Sequence, residues 1–114
     1  MGPMVPLDRA FLHLLGYMYL QQAKYREALI LFRFLRLHFV GDVSVVLSLV
    51  YALYQLKRYK EVSSVLDSLD PAKFSDEHRS VYFFLKSKSL WELGQVQESR
   101  AMLRRYLECR KLDA

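Results

Sequence analysis

The sequence predicts an all-α chain, built as three helix hairpins stacked in one domain. Three observations carry that prediction. The 114 residues include only 4 Gly and 3 Pro, and Pro3 and Pro6 precede the first periodic segment, so few residues punctuate the body of the chain. Apolar side chains recur at helical spacing in the segments between those breaks. One local pattern also returns three times, at 23–28, 57–62 and 94–99. It consists of a turn, a large apolar residue, a polar–acidic pair, a small or medium residue and then an amphipathic run. Tyr25 and Tyr59 are 34 positions apart and Tyr59 and Val96 are 37 apart, so three extra residues lie between the second and third units.

Six helices follow in order, at about 7–22, 25–39, 43–56, 59–69, 76–93 and 96–111. The first carries Leu12, Leu15, Gly16 and Tyr19. The second opens at Tyr25 and carries Ala28 and Phe32. Gly16 lets these two helices approach closely, where a larger side chain would hold them apart. Asp42 is the N-cap of the third helix, which places Val46, Leu49, Val50 and Leu53 at the matching positions. The fourth adds Val62 and Leu66 and is stopped by Asp70-Pro71, because the residue before proline avoids the α region. The extra stretch from Pro71 to Asp76 reads as an added turn. Ser75 caps the fifth helix, which carries Phe83, Lys86, Ser87 and Leu90. Lys86 stands where the other units are apolar, which leaves its packing open. The sixth helix carries Ser99 and Leu103.

Leu12, Leu15, Gly16, Tyr19, Ala28 and Phe32 resemble the signature of the tetratricopeptide repeat (TPR), and 34 residues is the period of its helix hairpin. Val50 in the glycine position, Lys86, and Val40 where proline usually ends a unit depart from that pattern. The resemblance implies a short right-handed superhelix with repeats at about 9–42, 43–76 and 80–113, in a single domain over 4–114. Met1-Gly2-Pro3 ahead of Met4 reads as an expression-vector remnant before a native start. Solenoid ends normally carry a polar cap. The last helix has no further helix after it, so Leu103, Tyr106 and Leu107 are expected to be covered by a partner or a second copy.

In TPR arrays the first helix of each hairpin lines the concave side, and five of its positions point into the groove. Carried onto this sequence, those positions are Ala10, His13, Tyr17, Leu20 and Gln21 in the first repeat. In the second they are Ser44, Leu47, Tyr51, Tyr54 and Gln55. In the third they are Val81, Phe84, Lys88, Trp91 and Glu92. TPR grooves that clamp a terminal carboxylate use Lys, Arg and Asn at such positions. Here Tyr17, Tyr51, Tyr54, Phe84 and Trp91 stand there instead, alongside His13, Leu20, Leu47 and Lys88. Tyr and Trp give large contact area at low entropic cost and recur as binding hot spots. An amphipathic helix or an extended segment with apolar anchors fits such a lining. An aromatic at helical spacing is also the ordinary content of a core, so some of these rings could serve the fold alone.

The chemistry of reaction is missing from the pattern. The 53% apolar and 14% aromatic composition excludes a disordered chain. The net charge of +5 suits an ordinary solvated surface or an acidic partner. The single Cys109 forms no intramolecular disulfide and no cysteine cluster, which fits a reducing compartment. Basic neighbours could activate it, but it reads as a bystander. His13, His38 and His78 have no partner at metal-ligand spacing. No phosphate loop or nucleophile motif occurs. The recurrence of Glu27, Glu61 and Glu98 is repeat periodicity. No enzyme activity, cofactor or metal is expected. Arg100, Arg104, Arg105, Arg110 and Lys111 make the last helix basic, but Glu98, Glu108 and Asp113 interrupt the stripe, which points away from nucleic acid as a partner. The apolar runs, such as 43–56, are too short to cross a bilayer, which takes about 20 residues.

The run from Phe11 to Gln21 (Phe-Leu-His-Leu-Leu-Gly-Tyr-Met-Tyr-Leu-Gln), with the three-repeat layout and this chain length, resembles the small TPR chaperones of bacterial type III secretion. Among them it is most similar to the SctY (YscY-like) family. That resemblance implies a cytoplasmic bacterial chaperone at the inner-membrane secretion apparatus. It would keep a small export substrate, SctX-like, soluble and export-competent as a heterodimer, and help present it to the SctV-like export gate. Chaperones of needle subunits or translocators are the neighbouring alternatives. A scaffolding TPR module of a larger complex is another.

Overall fold

A computed structural model describes residues 8–111 and is helical through most of them. In chain order the elements are α1 (Arg9–Gln21), α2 (Tyr25–His38), α3 (Val43–Gln55), α4 (Tyr59–Asp67), a 3-10 turn (Pro71–Lys73), α5 (Asp76–Glu92) and α6 (Val96–Lys111). No strand occurs among the described residues. The expected remnant at 1–3 and the end of the last repeat at 112–113 lie outside them, as does Asp113.

The helix starts follow capping chemistry. Asp42 Oδ1 accepts from the Val45 N–H at 3.3 Å and Ser75 Oγ from the His78 N–H at 3.2 Å, the two expected caps. Asp8 does the same for α1, accepting from the Phe11 N–H at 3.0 Å. Each cap satisfies one of the amides that a helix N-terminus leaves without an internal partner.

The turns inside the three hairpins are copies of one another. The N–H groups of Lys24, Arg58 and Gln95 donate to the carbonyls of Tyr19, Leu53 and Leu90 at 2.8, 3.0 and 2.9 Å. This closing bond requires a left-handed residue just before it. Ala23, Lys57 and Gly94 occupy that place, with φ of 58°, 62° and 80°. Only the third unit supplies the glycine that takes this conformation without strain.

Packing inside each hairpin differs although the positions match. In the first, Gly16 faces the buried ring of Phe32, and a Cβ on residue 16 would lie 2.5 Å from Cζ. In the second, Val50, Val62 and Leu66 are fully buried. In the third, Ser87 and Ser99 form a reciprocal clasp between α5 and α6. Ser87 Oγ donates to the Ser99 carbonyl at 3.0 Å, and Ser99 Oγ to the Ser87 carbonyl at 2.8 Å. α5 makes its most extensive contact with α6. The core runs from Phe32 and Leu35 through α3 and Leu66 to Phe83, Leu85 and Cys109. Cys109 is thus a buried core side chain.

Lys86 settles its apolar position by reaching out of it. Its Nζ pairs with Asp67 at 3.1 Å and donates to Tyr82 Oη at 3.2 Å, while Tyr82 Oη donates to the Leu66 carbonyl at 3.1 Å. Burial works against the ammonium, but these hydrogen bonds outweigh it and raise its pKa above the ordinary lysine value.

α4 ends at Asp67, two residues before the expected stop. Ser68 Oγ donates back to the Val65 carbonyl at 2.6 Å, and Asp70 then caps the 3-10 turn by accepting from Ala72 N–H at 3.1 Å. Arg79 pins this inserted stretch. It donates to the carbonyls of Pro71 and Phe74 at 3.1 and 2.9 Å, and pairs with Asp76 at 2.9 Å. Among the described residues, no helix is long and apolar enough to cross a membrane.

Candidate binding groove

The expected groove positions converge in part. α1, α3 and the start of α5 enclose a hollow of about 260 Å³. Tyr17, Leu20, Ser44, Leu47, Tyr51 and Val81 line it, each from a position assigned to the groove by the repeat pattern. Tyr17 Oη and Ser44 Oγ lie 3.1 Å apart and tie α1 to α3 across it. Leu47 is buried and forms the floor, whereas Tyr17 and Tyr51 remain exposed on the rim. The Tyr51 ring meets Tyr25 edge-on, with centroids 6.4 Å apart.

His13 extends the rim along α1. Its ring stacks on Tyr17 at 4.7 Å and meets Phe32 edge-on at 5.8 Å. Its Nε2 is buried without a hydrogen-bond partner among the described residues. Burial, with help from the Arg9 charge, pushes its pKa below 6.5 and so favours the neutral ring.

The remaining expected residues lie beyond the hollow. Tyr54 is half-buried and packs edge-on against Tyr59, 5.6 Å between centroids. On α5, spacings of three and four residues put Val81, Phe84, Lys88 and Trp91 on one helix face. Lys88 is exposed. Phe84 stays exposed while its ring touches Tyr106 of α6 at 5.3 Å. Trp91, at 57% exposure, stacks on no ring among the described residues. A stripe of accessible rings therefore runs down α5 from the hollow. Tyr106 is half-covered by this contact, while Leu103 and Leu107 remain exposed.

Ser48, Glu77 and His78 also line the hollow, and sequence reasoning did not place them there. Glu77 and His78 belong to the first turn of α5, just after the inserted stretch. The regular repeat has no groove position there, so only the length of the insertion signalled them. The lining offers apolar contact with hydroxyl, imidazole and carboxylate edges. Among the described residues no group of three His, Cys, Asp or Glu side chains could hold a metal ion.

A larger hollow, about 670 Å³, lies between α2 and α4. Nothing in the groove pattern anticipates it. The basic stripe of α6 is partly engaged in packing: the Arg105 guanidinium sits 4.8 Å from the Phe83 ring centroid. No family model matches the chain, and no curated protein or solved structure is significantly similar to it.

Proposed function

We propose that this chain is a TPR-type protein-binding module whose first helices hold an apolar segment of another protein. The observation that carries this reading is the accessible aromatic stripe Tyr17, Tyr51, Phe84 and Trp91 beside a hollow that already has a buried floor. Large rings left in water at one surface cost solvation that a partner recovers. Each fully desolvated ring of this kind contributes about 2 kcal/mol to binding.

The finer reading is that the module is a type III secretion chaperone. Its client is a small SctX-like export substrate with an amphipathic helix, and the pair is handed to an SctV-like gate. The Phe11–Gln21 run supports this client class, since His13, Tyr17 and Leu20 of that run belong to the groove positions. The mechanism is burial of the client's apolar face, with no bond made or broken.

The test is co-expression with the products of the neighbouring genes, comparing wild type with Tyr51→Ala/Trp91→Ala. One small protein retained by the wild type and lost from the variant is the expected result. Retention that ignores both substitutions would move the binding surface elsewhere and sink the reading.

A further inference from the structure

The larger hollow has a chemistry of its own. At 3.6 residues per turn, Val43, Val46, Leu49 and Leu53 lie on the face of α3 opposite Ser44, Leu47, Ser48 and Tyr51. The first set floors the larger hollow and the second lines the groove. α2 and α4 form the walls and do not pack on each other. Arg33 Nη2 reaches across the gap to Glu61 Oε2 at 3.3 Å. Leu37 and Val40, at 77% and 87% exposure, stand open at the mouth. Such apolar exposure beside a concave aliphatic floor is a seat for the apolar side chains of a docked segment.

The charge around this seat is one-sided. Arg33 and Arg36 lie on the lining, and an adjoining hollow of about 340 Å³ shares Arg33 and adds Arg26 and Arg58. Glu61 is the one carboxylate lining either hollow, and it is already taken by Arg58 at 2.6 Å as well as by Arg33. Arg26 and Arg36 have no ion-pair partner among the described residues. We propose that this second groove docks an acidic amphipathic segment of a partner protein, separate from the client of the first groove. The partner's apolar side chains fill the space over Val46, Leu49 and Leu53, and its carboxylates meet Arg36 and Arg26. Nucleic acid fits the surface less well. Neither hollow is lined by an aromatic ring on which a base could stack.

The experiment is a selection on the full chain from a displayed library of random peptides about four helical turns long. Counter-selection uses Leu37→Asp/Val40→Asp, checked for folding by circular dichroism. Enriched peptides are then synthesised with a fluorescent label and titrated by anisotropy. The expected peptides carry more Asp and Glu than Lys and Arg, with apolar residues three and four apart. Arg36→Glu should weaken them about tenfold, the loss of one charge-assisted contact. Tyr51→Ala/Trp91→Ala should leave them unchanged. If Leu37→Asp/Val40→Asp does not fold, Arg26→Glu serves for counter-selection, which leaves Arg36→Glu as an independent readout. Any of three results would overturn the proposal: no peptide enriched over the counter-selection, enriched peptides that are basic or ignore Arg36→Glu, or a labelled single-stranded DNA oligonucleotide that displaces them.

Discussion

Gly16→Ala should destabilise the fold even though alanine is the better helix former. A Cβ at this position meets Cζ of Phe32 at 2.5 Å and its two Cε atoms at 2.9 and 3.0 Å. Carbon atoms prefer about 3.5–4.0 Å, so the ring would have to retreat by roughly 1 Å. It has no easy retreat: Phe32 is fully buried, and the rings of His13 and Tyr17 stand edge-on to it at 5.8 and 6.1 Å. Overpacking of this kind costs about 1–3 kcal/mol, against about 1 kcal/mol gained in helix propensity; with no room for the ring to retreat the upper end applies, for a net loss of up to about 2 kcal/mol. The second hairpin shows the remedy, because Val50 is accommodated there in the unit that has Leu66 at the Phe32 position, both fully buried. Phe32→Leu alone should cost about 1 kcal/mol through the space it leaves. Combined with Gly16→Ala, it should cost less than the sum by about 1 kcal/mol, because each change relieves the other. Urea unfolding of the four proteins, followed by far-UV circular dichroism, closes the cycle. Additivity within about 0.3 kcal/mol would show that the Gly16–Phe32 contact is not what requires glycine.

Three further outcomes follow from local geometry. Lys57→Gly should stabilise the protein by about 0.5–1 kcal/mol, because relief of the left-handed strain at φ 62° exceeds the entropy that glycine adds to the unfolded chain, and a rise in the urea midpoint would register it. Ser99→Ala should cost about 1 kcal/mol by removing a buried hydrogen bond to Ser87, whereas the exposed Ser64→Ala should change the midpoint little. Since burial lowers the His13 pKa below 6.5, the unfolded chain takes up that proton first. The stability contributed by neutral His13 is present above pH 6.5 and is lost as pH falls through the lowered folded value. Melting temperatures of wild type and His13→Gln between neutral pH and about pH 5 should therefore converge as pH falls, and parallel curves would exclude this role.

The helices were legible because their signals are local. Asp42 and Ser75 cap where capping chemistry puts them, and the breaks at 22–24, 56–58 and 93–95 repeat one turn with one hydrogen bond. The hollow between α1 and α3 is lined in part by the positions that the tetratricopeptide resemblance had singled out. What the pattern missed depends on distances between helices. Lys86 looked wrong for its site because position alone did not reveal Asp67 and Tyr82 Oη within reach. Glu77 and His78 enter the groove through an insertion that shifts α5 against the regular period. The larger hollow exists because the backbones of α2 and α4 stay apart, with the Arg33–Glu61 pair reaching across, and a gap between helices leaves no periodic trace.

α3 is buried without interruption from Val45 to Val50. It serves as the floor of both hollows and is therefore a partition one helix thick, about 10 Å across. A partition cannot lean toward one room without leaving the other. An occupant that draws α3 to its own side changes the shape offered on the far side. By linkage, an occupant of the far side acts back on the first by the same factor. The two surfaces share one buried helix, so any coupling between them would pass through α3.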